Sequence, residues 1–372
     1  MNKRNLALDV LRALTMTLMV FVNDFWTVLD VPHWMEHFAT MEDGMGLSDI
    51  IYPMFLFAMG MAVPFAIENR FAKGAPLGDT IRHILSRTLA LLVMGAFICN
   101  TEGGDMVGNK GVYWLVMLAG FVLVWNSYPE SFKARKWLRI LGVVTLVLLA
   151  ATFRTTDGGL FRASWWGILG QIGWMYLFAA SAYILCRERP WILALIWTAL
   201  CLVNISVVPM REGNVLVGGN IVADFADAIN LGNGHGAIMA LGGVLTVLAE
   251  KHLRKNKVIF GLGAAVILVL LGTAFHQGWI VSKNIGTLPW CLYVSAISVA
   301  LYTLLRVLEK KGWTGWSKPL SPAGTATLTV YMIPYVFYSL WVFFSPEIPL
   351  WLSGYAGVLK CALFSALCLA CA

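Results

Sequence analysis

Two groups of side chains in this sequence are of types that could move protons or hold anions. The first runs through Asn23, Asp24, Trp26 and Asp30, then His33, Trp34, Glu36 and His37. It ends with Ser48 and Asp49 at the head of the apolar run IIYPMFLFAMGMAVPF. A neutral imidazole can take a proton from an attacking alcohol or amine, or can itself attack an activated acyl group. His33 and His37 are therefore both candidates, as are His235 and His276 further along the chain. Asp49 has two readings. In the first turn of a helix, a carboxylate satisfies free N–H groups and complements the dipole. It can equally hold a histidine in one tautomer and steady the imidazolium, as the acid of a catalytic triad does.

The second group is cationic. Asp9 and Arg12 are three residues apart, a helical spacing at which they can pair. Arg12 with Arg82 and Arg87 could instead surround an anionic ligand such as a phosphate-bearing cofactor. Gln171, Lys283, Asn284 and Tyr331 are further polar residues in or beside apolar stretches. Gly167, Gly170 and Gly173 set a small-residue stripe beside Gln171, which reads as close helix packing. The glycine-rich stretch 232–236 has no Walker lysine and no preceding strand, so it reads as a flexible lead into a helix. No metal site is expected, because no Cys/His cluster is present and the seven cysteines show no framework spacing.

These residues need elements to hold them, and composition decides which kind. Of 372 residues, 59% are hydrophobic and 13% charged, about half the charged fraction of roughly 25% usual in soluble proteins. A water-soluble globule and a disordered chain are both excluded. The apolar residues fall into about twelve blocks, near 7–29, 47–69, 82–100, 111–127, 137–153, 165–186, 191–208, 233–250, 258–275, 287–308, 322–344 and 349–371. Each is close to the roughly 20 residues that span a bilayer as a helix. Nothing alternates with the period of a membrane β-barrel. The expected fold is thus all-α, a polytopic integral membrane bundle of 11–12 helices forming one domain over residues 1–372. The first block, which holds Lys3, Arg4, Asp9 and Arg12, reads as a retained helix rather than a cleaved leader.

The basic residues test this division independently. With the N-terminus cytoplasmic, the inner segments carry 21 Lys and Arg, the outer segments five (Lys110, Arg154, Arg162, Arg211 and Lys283), and Lys360 falls inside the last block. That asymmetry fixes the orientation and accounts for the net charge of +7 without a nucleic-acid partner. The longest outer connection, roughly 209–232, reads as a lid or as a plain solvated loop.

The motifs then resemble a known family. LDVLRALTMTLMVFVN from Leu8 to Asn23, the histidine loop, and LSDIIYPMFLFAMGMAVPF from Leu47 to Phe65 are similar to the opening of the heparan-α-glucosaminide N-acetyltransferase family. SRTLALLVMG around Arg87, GILGQIGWMY around Gln171, GHGAIMALGGVL from Gly234, SKNIGTLPWCLY from Ser282 and PLSPAGTATLTVYM from Pro319 follow in the family's order. The resemblance implies a membrane acetyltransferase that takes acetyl-CoA from the cytoplasm and acetylates an amino or hydroxyl group of a sugar or glycan on the far side. It places the catalytic histidine at His37, with Asn23 and Asp49 beside it. Arg12, Arg82, Arg87, Gln171, Lys283, Asn284 and Tyr331 become residues for acetyl-CoA. The loop after His37 is about two residues longer than the family's, which keeps His33 as a rival. Ile172 stands where the family has an arginine, and the fourth and fifth helices look like an added pair. The implied setting is the bacterial cytoplasmic (inner) membrane, with the bilayer as partner and a homodimer as the default oligomer. The alternative function is a secondary transporter or channel for an anionic or sugar-like solute.

Overall fold

The computed structural model describes residues 5–102, 106–164, 167–208, 233–252, 256–345 and 352–372. Twelve helices of 16 to 26 residues follow one another in these segments: α1 (Leu6–Asn23), α2 (Leu47–Ala72), α3 (Leu77–Glu102), α4 (Lys110–Trp125), α5 (Arg135–Thr152), α6 (Ile168–Cys186), α7 (Pro190–Val207), α8 (His235–His252), α9 (Lys257–His276), α10 (Leu288–Lys310), α12 (Thr327–Phe344) and α13 (Gly354–Ala370). A five-residue helix, α11 (Ser321–Thr325), precedes α12. Eight of the helices are long and apolar enough to cross a membrane, and α4 and α13 are shorter apolar helices. The chain is an all-α polytopic bundle, an integral membrane protein. The twelve apolar blocks and the twelve long helices correspond one to one. The 209–232 connection lies outside the described residues.

Two of the blocks that differ from their helices do so for identifiable reasons. The first block extends to residue 29, yet α1 stops at Asn23 and the chain passes into a 3-10 turn, Phe25–Thr27. At this point the Asp24 carboxylate turns into the protein, where Lys360 Nζ from α13 meets it at 2.6 Å and Tyr338 from α12 donates to it at 2.7 Å. The eleventh block is broken at Ala326, between α11 and α12. Gly324 there lies so close to α1 that a Cβ would come within 3.0 Å of the Asp9 carbonyl oxygen.

Close backbone approach fixes the helices that carry the polar residues. On α2, a Cβ at Gly60 would lie 1.9 Å from the Ala240 carbonyl oxygen of α8, and one at Gly243 of α8 would lie 2.1 Å from that of Phe57. The stripe on α6 packs on α3 as its spacing suggests, with Gly95 and Gly170 backbone to backbone and Gly173 against Leu91. Small residues are what allow membrane helices to approach this closely. The outer ends of α2, α6, α8 and α10 are thereby drawn together, and the candidate site lies among them.

Candidate active site

Asp49 organises the outer end of the bundle. Its Oδ2 accepts the backbone N–H of Gly46 at 3.0 Å, which caps α2, and that of Phe38 at 3.1 Å. Its Oδ1 lies 2.7 Å from His37 Nδ1. Helix cap and histidine orienter, which compete for Asp49 on sequence grounds, are therefore both true, one oxygen for each. An ionised carboxylate only accepts, so Nδ1 of His37 carries the proton and Nε2 is left with its lone pair. The Asp49 backbone is also held. Pro53, four residues on, has no N–H for the Asp49 carbonyl, and Trp290 Nε1 from α10 donates to that oxygen instead, at 3.2 Å.

The loop that presents His37 is laced to the 281–284 segment. Asn284 Nδ2 donates to the Phe38 carbonyl at 3.0 Å, Ser282 Oγ donates to that of Thr40 at 2.9 Å, and the Gly44 N–H donates to that of Val281 at 2.9 Å. Lys283 Nζ lies 3.1 Å from His37 Nδ1 and 3.4 Å from Nε2, and 3.9 Å from Asp49 Oδ1. No point in the ring plane is that near both nitrogens without colliding with a ring carbon, so the ammonium sits over the imidazole face. Burial pulls Lys283 below the ordinary lysine value, and the Asp49 carboxylate opposes that shift.

His37, Lys283 and Asn284 line a cavity of about 300 Å³ together with Asn23, Ser48, Tyr52, Gln171, His235 and Trp290. Gln171 is oriented there by Tyr52, whose hydroxyl donates to Oε1 at 2.6 Å. The Asn23 side chain, at the end of α1, makes no hydrogen bond among the described residues, so its amide remains for a ligand. His33, by contrast, pairs with Glu42 at 2.6 Å, stacks on Phe38 and lines neither this cavity nor the two that follow. His235, a candidate by residue type, joins this group, and the stretch before it, expected to be a flexible lead into the helix, is held in place. In fact Asn233 is pinned. Its Nδ2 donates to the Ile285 carbonyl and its own carbonyl accepts from Asn204 Nδ2 at 2.8 Å. With its amide so oriented, Asn233 Oδ1 accepts from His235 Nδ1 at 2.5 Å, which leaves Nε2 of this second imidazole as the lone-pair nitrogen. Gly286, at φ +72°, passes so close that a Cβ would lie 2.6 Å from Asn233 Nδ2.

A second cavity of about 300 Å³ opens at the opposite, basic end, lined by Arg12, Arg70, Arg87 and His83 with Asn69, Thr80, Tyr176, Thr327 and Tyr331. Arg87 stacks over the Tyr176 ring at 5.4 Å, and Arg12 reaches Thr327 Oγ1 at 3.4 Å. Arg82, expected among the acetyl-CoA residues, stands apart from this cavity. It is 85% exposed, pairs with Asp79 at 3.7 Å and does not line the cavity. On α3, positions 83 and 87 are one turn apart and share a face, whereas position 82 is turned away. Gln171, Lys283 and Asn284 are regrouped as well, since they stand at the histidine end rather than with the arginines.

A third cavity, of about 380 Å³, lies beside the histidine cavity and shares Asn23 and Ile168 with it, while Tyr331 is common to it and the arginine cavity. The three are thus neighbours, wall to wall, from the basic end to the outer end.

Fold and cavities define a polytopic membrane protein with cavities at both ends of its bundle, arginines at one and histidines at the other. Residues 4–209 match the family described as a domain of unknown function, DUF5009, and the chain belongs to that family. The matched span includes Arg12, Asn23, His37, Asp49, Arg87 and Gln171, while His235, Lys283, Asn284 and Tyr331 follow it. No curated protein matches the chain.

Proposed function

We propose that this protein is an acyltransferase of the bacterial cytoplasmic membrane. It would use acetyl-CoA from the cytoplasm to acetylate a hydroxyl or amino group of a sugar at the outer face. The observation that carries this reading is the Asp49–His37 pair facing a cavity at one end of the bundle, with three arginines around a cavity at the other. Guanidinium groups suit phosphate oxygens, so Arg12, Arg70 and Arg87 fit the nucleotide end of CoA. Tyr331 and the walls shared between the cavities would line the pantetheine arm.

Acetyl-CoA supplies an activated thioester. At the outer end, His37 Nε2 takes the proton of the acceptor O–H or N–H as that atom bonds to the thioester carbonyl carbon. The C–S bond breaks, and the same proton passes from His37 to the departing thiolate, giving free CoA thiol and the acetylated sugar. Asp49 keeps the imidazole in the required tautomer. Asn23 and Lys283 face the site where negative charge develops on the carbonyl oxygen.

The test is transfer of radiolabelled acetyl from acetyl-CoA to sugars by the purified protein in proteoliposomes. Solute flux without transfer would overturn the reading in favour of a transporter. Removing an oxyanion donor costs about 2.7–4 kcal/mol of barrier in a well-studied hydrolase, so Asn23→Ala is expected to slow transfer by about a hundred-fold or more. The Michaelis constant for acetyl-CoA should change little. Unchanged turnover would remove Asn23 from the mechanism.

Lys283 gives a pH dependence. Asp49, His37 and His235 surround its ammonium, which is charged only below its lowered value. As pH rises through that value the positive charge is lost, so turnover is expected to fall at a pH below that at which an ordinary lysine titrates. Arginine stays charged throughout. A pH–rate profile in which Lys283→Arg keeps the same alkaline fall as the wild type would show that another group titrates.

A further inference from the structure

The third cavity has a lining that neither the catalytic pair nor the arginines explain. Trp26 stands at its edge, half-exposed, with Tyr338 edge-on to it at 5.3 Å. Deeper in, Trp114 and Tyr335 meet edge-on at 6.0 Å. Two charges of opposite sign complete the wall. Glu102 ends α3 and accepts from the Tyr335 hydroxyl at 2.6 Å, and Lys110 begins α4 with its ammonium 5.1 Å over the Trp114 ring.

Each feature narrows the ligand. Flat aromatic faces carry negative charge on the ring and accept the weakly positive C–H faces of a pyranose. A carboxylate accepts from hydroxyl groups and an ammonium donates to them. A carboxylate alone among aromatics would select a cation, as aromatic cages do, and a lysine alone would select an anion. With both on one wall, the chemistry best served is an uncharged polyhydroxylated ring. We infer that the cavity lined by Trp26, Trp114, Tyr335, Tyr338, Glu102 and Lys110 binds an uncharged sugar ring and delivers one of its hydroxyls past Asn23 to His37. The delivery rests on the acyltransferase reading, and sugar binding does not. It makes the acceptor a hydroxyl and the product an acetate ester: the hydroxyl oxygen bonds to the acetyl carbon, the C–S bond breaks, and the hydroxyl proton ends on the CoA thiol.

The experiment is equilibrium binding, without acetyl-CoA, of radiolabelled methyl glucoside and N-acetylglucosamine to the full-length protein in nanodiscs. Choline serves as the competing cation. Saturable binding of an uncharged sugar is expected, with no displacement by choline. Trp26→Ala, at an exposed position, should weaken it roughly ten-fold, and Glu102→Gln should also weaken it. An alkyl glycoside that binds more tightly than its free sugar would support a lipid-linked acceptor, and equal binding a soluble one. The inference is overturned if neither sugar binds saturably, if choline displaces them, or if Trp26→Ala binds as the wild type does. Trp26-dependent sugar binding without any acetyl transfer would leave the cavity assignment standing and sink the acyltransferase reading. Transfer with the same acceptor Michaelis constant in wild type and Trp26→Ala would do the reverse.

Discussion

Replacement of His37 by alanine is expected to reduce acetyl transfer by about 10²–10⁴-fold, the usual contribution of a positioned general acid–base group, while His33→Ala turns over close to the wild-type rate. Both residues belong to one loop and both have a carboxylate partner. Their surroundings differ. The partner of His37 is buried, caps α2 and points one oxygen at Nδ1, so that the ring is held on a rigid element with Nε2 left for the proton. The partner of His33 is a loop glutamate, itself 34% exposed. Asp49→Asn provides an internal check. An asparagine oriented by the Phe38 and Gly46 N–H groups would keep its oxygen towards them and aim its NH₂ at His37 Nδ1. The tautomer would then reverse, and Nε2 would become a donor. The same reversal in a serine-protease triad costs about 10⁴ in kcat. Labelled-acetyl transfer in proteoliposomes reads all three variants. A His37→Ala protein as active as the wild type, or a His33→Ala protein without activity, would dismiss the assignment.

The fold was legible because a bilayer imposes length on each helix and charge on each connection, and both are one-dimensional signals. Twelve apolar blocks and the inside excess of Lys and Arg need no contact information. The pairing of His37 with Asp49 was legible in part, since both lie in one short stretch and the resemblance names both. What escaped depends on helix phase and on partners remote in sequence. Arg82, His83 and Arg87 look interchangeable as nearby cations, but rotation about α3 puts only the last two on the cavity. Arg70 joins them from α2, which sequence spacing does not reveal. His235 stands among the candidates by residue type alone, and its place beside His37 escaped because it depends on Asn233, whose amide is oriented by Ile285 in a different connection. Two histidines ordered by side-chain oxygens would have been a usable signal only with the 233 and 285 segments already known to touch. The end of α1 escaped for the same reason, its cause lying on α13, more than 300 positions away.

Lys360→Met is expected to destabilise the fold more than any of the substitutions above, for a reason that lies in the same contact. Asp24 is 1% exposed, with Lys360 Nζ at 2.6 Å from one oxygen and the Tyr338 hydroxyl at 2.7 Å from the other. Lys360 also donates to Thr27 Oγ1. Taking away one partner of such a pair strands a charge in a low-dielectric site, and losses of about 3–5 kcal/mol are typical. The Lys360 side chain is 35% exposed, so solvent screening places the expected value at the lower end of that range. The stranded carboxylate is the decisive quantity rather than the lost attraction. Asp24→Asn combined with Lys360→Met should therefore recover most of the loss, because an amide in place of the carboxylate leaves no uncompensated charge. Thermal unfolding of the two variants in detergent micelles separates the causes. If the double variant unfolds as early as the single one, packing of α13 against α1 was what the lysine supplied, and the ion pair is not what holds Asn23 at the mouth of the histidine cavity.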